Sequence, residues 1–274
     1  MTKKIIFSDI DGTLLDENHQ LTNETRQVVQ ELQRRDVKIV LTSARPPKAM
    51  ITIAEELTLQ TPLVCFNGAL ITQVQSQQFV DLYSVALERL DTLMLYQLIT
   101  SMFPAISINI YSSDRWLVEK IGTWEQQEMD ITGVQPEVVD MHVFLKEYHP
   151  IHKILCMGDE KEIAQLEIAL ISANLLGVTC HLSKTTYLEI INKDVSKLAA
   201  LEFLCRKYSL SLEEAVAIGD NYNDLPMIQH AGIGIAMGNA PERIKQQADV
   251  VTVSNQENGF SQALANCFEL AILE

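Results

Sequence analysis

Two acids two residues apart, Asp9 and Asp11, follow the apolar, β-prone run Ile5-Ile6-Phe7 and precede Gly12-Thr13. Carboxylates so placed at a strand end can share one hard cation while one of them stays free to attack an electrophile. Gly12 permits a tight turn that brings backbone N–H groups toward an anion. "GDNYND", Gly219 to Asp224, repeats the theme with an apolar strand, a glycine, then Asp220 and Asp224. Acids delivered by two separate strands to one edge point to Mg2+, which takes a few carboxylates and keeps several waters. Lys197 opens a helical segment from which its ammonium can face those acids, and "TSAR" sets the Ser43 hydroxyl at the start of another helix, a natural anion cradle. Each stretch alone has an ordinary alternative: a turn cluster, a solvated first-turn lysine, a polar loop. Their convergence is what points to a site.

The elements that must position these residues are legible in outline. Residues 4–10 read as a strand buried on both faces of a parallel sheet. Thr22 or Asn23 can cap a helix that turns Val28, Val29 and Leu32 inward. "VKIVLTSARP" is a second strand, a helix follows near 47–57, and "PLVCFNGALI" is a third strand broken at Asn67-Gly68. Strand alternating with helix predicts a doubly wound α/β fold, in which ligands sit beyond the carboxyl ends of the strands. Asp9, Asp11, Ser43 and Asn67 all fall at such ends.

From about residue 83 the pattern changes. A helical stretch (Leu87, Leu90, Met94, Leu98) precedes a hairpin made of "ISINIY" and "RWLVEK". "IHKILCM", an amphipathic helix through Ile163, Leu166, Leu170 and Ile171, then "VTCHLS" and "TYLEII" complete an α+β unit. The doubly wound texture then resumes with "SKLAALEFLCRKY" and "AVAIGDNYND", so the unit is inserted rather than appended. The expected division is a core of residues 1–83 and 188–274 around an insert of 84–187.

With 21 basic against 36 acidic residues the chain carries a formal charge of −15. Nucleic acid and anionic membrane are therefore not expected partners, since both demand a positive face. An anionic substrate needs local compensation by a cation. The five scattered cysteines form no CxxC pair and read as buried thiols of a reducing compartment, so a cytoplasmic protein is expected. The N-terminal apolar run is too short for a signal peptide, and no apolar span reaches membrane length. His149 and His152 in "HPIH" lack further ligand partners, and Trp116 and Trp124 read as packing residues.

In this order, the four chemical stretches resemble the four motifs of the haloacid dehalogenase superfamily. The whole pattern is similar to its Cof-type (class IIB) phosphatases, whose α/β cap is inserted after the third core strand; "NGALI", "EIINKDVSK" and the tail from "GIGIAMGNA" support the likeness. The resemblance implies a Rossmann-like core and a Mg2+-dependent phosphatase acting on small phosphomonoesters, sugar phosphates or related metabolites, through an aspartyl phosphate. It implies Asp9 as nucleophile and Asp11 as general acid and base. It implies a metal site of Asp9, Asp11, Asp220 and Asp224, with the Asp11 main-chain carbonyl reaching the ion and Asp224 close behind Asp220. Ser43, the Ala44 amide, Lys197 and Asn223 would hold the phosphoryl oxygens. A sugar phosphomutase, or a phosphometabolite-binding regulator with vestigial activity, is the alternative. Three positions depart from the family pattern: Ser43-Ala44 replaces Thr-Gly, Leu198 replaces a glycine, and Ser8 replaces an apolar residue.

Overall fold

The computed structural model describes residues 3–270. β1 (Ile5–Asp9) is buried throughout, as its unbroken apolar run requires. After a tight turn come α1 (Asn23–Arg34), β2 (Lys38–Thr42), α2 (Pro47–Glu56), β3 (Leu63–Cys65), β4 (Leu70–Gln75) and β5 (Gln78–Ser84). Thr22 caps α1, its Oγ1 accepting from the Thr25 N–H at 3.1 Å. The inserted segment contributes α3 (Arg89–Met102), β6 (Ser107–Ser112), β7 (Arg115–Val118), α4 (Thr123–Thr132), β8 (Glu137–Val138) and α5 (Met141–Phe144). It continues through β9 (Lys153–Met157), α6 (Glu160–Ala173), β10 (Val178–Lys184) and β11 (Tyr187–Asn192). Then follow α7 (Lys197–Lys207), β12 (Ala215–Gly219), α8 (Leu225–His230), β13 (Ile233–Ala236), α9 (Glu242–Lys245), β14 (Val250–Val251) and α10 (Gly259–Cys267).

The strands form two sheets. The first runs β14-β13-β12-β1-β2-β3-β4-β5. It is parallel from β14 to β3, and the β3-β4-β5 meander is antiparallel. β1 lies between β12 and β2, so chain order reverses at the β1–β12 seam, where open α/β sheets form their crevice. Alternation along β1 divides its side chains between two cores. Ile6 packs with Val28, Leu32 and Phe260 on one face, while Ile5 and Phe7 pack with Leu201, Leu204 and Met227 on the other.

The second sheet runs β10-β11-β9-β6-β7-β8. One face is covered by α3 and α6, whose Leu95, Ile99, Ile163 and Leu166 bury Ile154, Leu188 and Ile190. From the other face Tyr111, Leu155, Met157 and Tyr187 join the apolar cluster that includes Phe66, in the turn just after β3 of the first sheet. The expected second boundary at 188 cuts β11, which pairs with β9 and β10 and belongs wholly to the second sheet. The crossing back is the short link 193–196. Its misplacement has a physical reason: β11 runs almost directly into α7, with no loop long enough to mark a change of unit. Residues 1–2 and 271–274, the outer ends of the expected core segments, lie outside the described residues.

Candidate active site

At the end of β1 the chain turns through Asp11 and Gly12, with Gly12 at φ +81°. Only glycine fits there: a Cβ would also lie 2.6 Å from Asp220 Oδ2. The turn leaves Asp9 at the seam beside the end of β12. A second unusual turn ends β3, where Phe66, Asn67 and Gly68 all have positive φ. Gly68 is again obligatory, because a Cβ would lie 2.3 Å from the Ser196 carbonyl oxygen. This close approach sets the start of α7 against the site. Ser196 caps that helix, accepting from the Ala199 N–H at 3.1 Å, and Lys197 in its first turn points inward.

Lys197 is 1% exposed and its Nζ donates to Asp9 Oδ1 and to Asp224 Oδ1, the latter at 2.5 Å. Asp224 is held from its other oxygen by the N–H groups of Asp220 and Asn221, both at 3.0 Å. Asp220 Oδ1 accepts from the Thr13 hydroxyl at 2.9 Å. Burial pushes the Asp9 carboxyl well above its ordinary value; Lys197 pulls it back, and Asp224 and Asp220 push it up again. Burial, then Asp224, raises Asp220 to about 6, against the hydrogen bond from Thr13. Burial opposes the charge on Lys197, but Asp224 and Asp9 outweigh it and the ammonium is retained. Three carboxylates thus face one ammonium.

That imbalance bears on a metal. Asp9, Asp220 and Asp224 each offer an oxygen within 4.8 Å of the others. Among the described residues they are the only such group of three or more metal-capable side chains. Hard oxygen donors with a deficit of positive charge fit Mg2+. Asp224 already has both oxygens occupied, so Asp9 and Asp220 are the better direct ligands. The Asp11 side chain is outside this group. Its carboxylate is gripped by the Arg45 guanidinium, Nε to Oδ2 at 2.8 Å and Nη2 to Oδ1 at 2.7 Å.

The remaining expected residues line the same cleft, of about 650 Å³, with Asp9, Lys197 and Asp220 at its base. Ser43 is buried and its Oγ accepts from the Arg45 N–H at 3.2 Å. Asn223 donates to Asn67 Oδ1 at 2.9 Å. Ala44 keeps an ordinary negative φ, so the missing glycine restricts nothing. Ser8 is fully buried, with its hydroxyl donating to the Asp9 carbonyl at 2.7 Å, which accounts for a polar residue in the strand. Leu198 sits without strain in the first turn of α7.

Asn67, expected at a ligand-facing strand end, lines the cleft; beyond the expected set the structure adds Arg45 and Thr13, and from the second sheet His181, Ser183 and Glu189. Arg45 stood within "TSAR" and carried a signal there. His149 and His152 are no pair: His149 stacks on Phe144, and His152 is enclosed between the two sheets.

Residues 6–264 match the sequence profile of the haloacid dehalogenase-like hydrolases. The chain belongs to that family. A presumed phosphatase of Haemophilus influenzae is 32% identical over 269 residues, covering 98% of this chain and 99% of its own. The HMP-PP phosphatase of Escherichia coli is 29% identical over 243 residues, 87% of this chain and 85% of that one. The crystal structure of a haloacid dehalogenase-like hydrolase from Bacteroides thetaiotaomicron superposes with a TM-score of 0.88 at 27% identity, covering 97% of this chain and all of that one. This haloacid dehalogenase-like hydrolase is a phosphatase, and its core and inserted α/β unit have the family's fold. No helix among the described residues is long and apolar enough to cross a membrane.

Proposed function

We propose that the chain hydrolyses small phosphomonoesters, sugar phosphates or related metabolites, with Mg2+ and through phosphoryl transfer to Asp9. The observation that carries this reading is the buried Asp9–Lys197–Asp224 chain beside Asp220, at the base of a cleft roofed by the inserted unit. Asp9 and Asp220 would hold the ion, with Asp224 orienting the loop behind them. When bound, Mg2+ neutralises phosphoryl charge that would otherwise repel the attacking carboxylate.

Every other step belongs to side chains of the protein. An Asp9 carboxylate oxygen attacks phosphorus, the bond to the leaving oxygen breaks, and Asp11 gives that oxygen a proton. Asp11 then takes a proton from water, whose oxygen displaces the Asp9 carboxylate and yields inorganic phosphate. Lys197, the Ser43 hydroxyl, the Ala44 amide and Asn223 converge on the phosphoryl oxygens, where phosphoryl transfer asks for alignment and charge stabilisation. Arg45 holds both Asp11 oxygens at rest, and the fork must release one of them before Asp11 can carry the proton. The inserted unit acts as a cap that excludes water and selects the leaving group.

The test is release of phosphate from p-nitrophenyl phosphate with and without Mg2+. Asp9→Asn is expected to abolish turnover while the circular dichroism spectrum stays unchanged, and chelation to abolish wild-type turnover reversibly. Near-wild-type activity in Asp9→Asn would overturn the mechanism. Free phosphate as product, rather than an isomerised sugar phosphate, separates hydrolysis from a mutase reaction.

A further inference from the structure

We propose that Glu189 and His181 receive a hydroxyl of the leaving group, so that the preferred substrates are phosphate esters of uncharged polyhydroxylated compounds; this rests on the phosphatase reading above. Glu189 is 5% exposed and lines the cleft that holds Asp9 and Lys197. Its Oε1 lies 3.5 Å from Lys153 Nζ, but its buried Oε2 accepts no hydrogen bond. A buried carboxylate oxygen without a donor is costly, and native structures rarely tolerate one without a use.

Packing does not explain it. Alternation along β11 sends Leu188 and Ile190 into the apolar core of the cap, and Glu189 and Ile191 toward the cleft. An apolar residue at 189 would satisfy the sheet without desolvating a charge. His181 is the directly opposite residue on β10. Its Nε2 stands 3.6 Å from Glu189 Oε2, beyond hydrogen-bond reach, and its side chain is 42% exposed and free to shift. Oε2 is closed to solvent with His181 in this position, so His181 must swing aside; a hydroxyl entering from the cleft can then donate to Oε2 and, with the proton on Nε2, accept from the ring. Ser183, two residues further along the same strand, lines the cleft too.

The same arrangement disfavours a second anion. The cap residues lining the cleft are His181, Leu182, Ser183, Glu189 and Ile191, with no lysine or arginine among them. Lys153 beneath them is 4% exposed and already holds the Ala44 carbonyl at 3.0 Å. A distal phosphate or carboxylate would therefore meet Glu189 with no cation to receive it, and rejection of the wrong ligand contributes to specificity as much as attraction of the right one.

The experiment compares kcat/KM for fructose 6-phosphate, fructose 1,6-bisphosphate and p-nitrophenyl phosphate in wild type, Glu189→Ala and Glu189→Gln, with Mg2+ present. The wild type is expected to prefer fructose 6-phosphate over the bisphosphate at least tenfold. Glu189→Ala should lower the ratio of fructose 6-phosphate to aryl phosphate at least tenfold, mainly through KM. Glu189→Gln, which keeps the shape, should lower it in the same direction and decides the matter if the alanine variant does not fold. A ratio unchanged within threefold in the folded variants, or a wild-type preference for the bisphosphate, overturns the proposal. Failure of the wild type to hydrolyse any of the three would instead overturn the phosphatase reading beneath it.

Discussion

Two residues set the chemistry by what they hold rather than by what they attack. Lys197 is enclosed with Asp9 and Asp224, and an ammonium is retained there only because two carboxylates oppose its desolvation. Lys197→Met should leave those acids uncompensated and reduce the unfolding free energy by about 3–5 kcal/mol, measured in urea without divalent ions. Added Mg2+ should restore part of the stability and little of the turnover, because the phosphoryl oxygens still lack the ammonium. Arg45 works differently, fixing both oxygens of Asp11 through a planar fork. Arg45→Ala should lower kcat by about 10- to 100-fold with less effect on KM, the usual size of a misplaced catalytic group. Arg45→Lys keeps the charge but loses the fork, so steady-state kinetics should place it between the two.

At the level of elements, the catalytic edge was readable because apolar strands β1, β2, β3 and β12 each stop at a residue with no reason to be there except chemistry. Asp9, Ser43, Asn67 and Asp220 lie at those ends, and parallel topology brings the ends together. What the sequence could not reveal depends on long-range pairing. Lys153 and Glu189 look like single charges in the strands "IHKILCM" and "TYLEII"; only the β9–β11 register makes them partners beneath the cleft. The Asp11–Arg45 contact likewise needs two loops 34 residues apart in sequence to meet. His152, which with His149 lacked further ligand partners in the sequence, joins β5 to the cap: its Nδ1 accepts from the Ser113 N–H at 3.0 Å, leaving Nε2–H to donate to Ser84 Oγ at 2.8 Å. Burial lowers its pKa from 6.5 to about 4, with nearby Asp81 acting weakly in the other direction. Between those values the unfolded chain takes up a proton on this ring and the folded chain does not. The neutral ring's contribution is therefore complete above pH 6.5 and is lost as pH falls toward 4, up to about 3 kcal/mol in all. In denaturant titrations His152→Gln should be less acid-sensitive than wild type across that window; parallel profiles would refute the assignment.

Across the whole molecule, the cap is tied to the phosphate-binding edge by a single buried cation. Lys153 rises from β9, donates to the Ala44 carbonyl, lies near Glu189, and sits 5.0 Å from the Tyr111 ring centroid and 5.7 Å from that of Phe66. Ala44 belongs to the loop after β2 that carries Ser43, so cap position and phosphate cradle share one contact. Lys153 therefore stands between the two ends of the cleft, bonded to the Ala44 carbonyl and 3.5 Å from Glu189. Lys153→Met preserves most of the side-chain volume and its packing between the rings while removing the charge. Loss of the Ala44 contact should weaken binding of every phosphate ester alike, raising KM for both fructose 6-phosphate and p-nitrophenyl phosphate about tenfold, the scale of one charge-assisted hydrogen bond. Hydrogen exchange should quicken at residues 43–46 and across the links 85–88 and 193–196. Glu189 variants, by contrast, should move the two substrates apart. A Lys153→Met enzyme that changed the substrate ratio but not the common KM would place this lysine in leaving-group selection alone and overturn its role in holding the Ala44 loop.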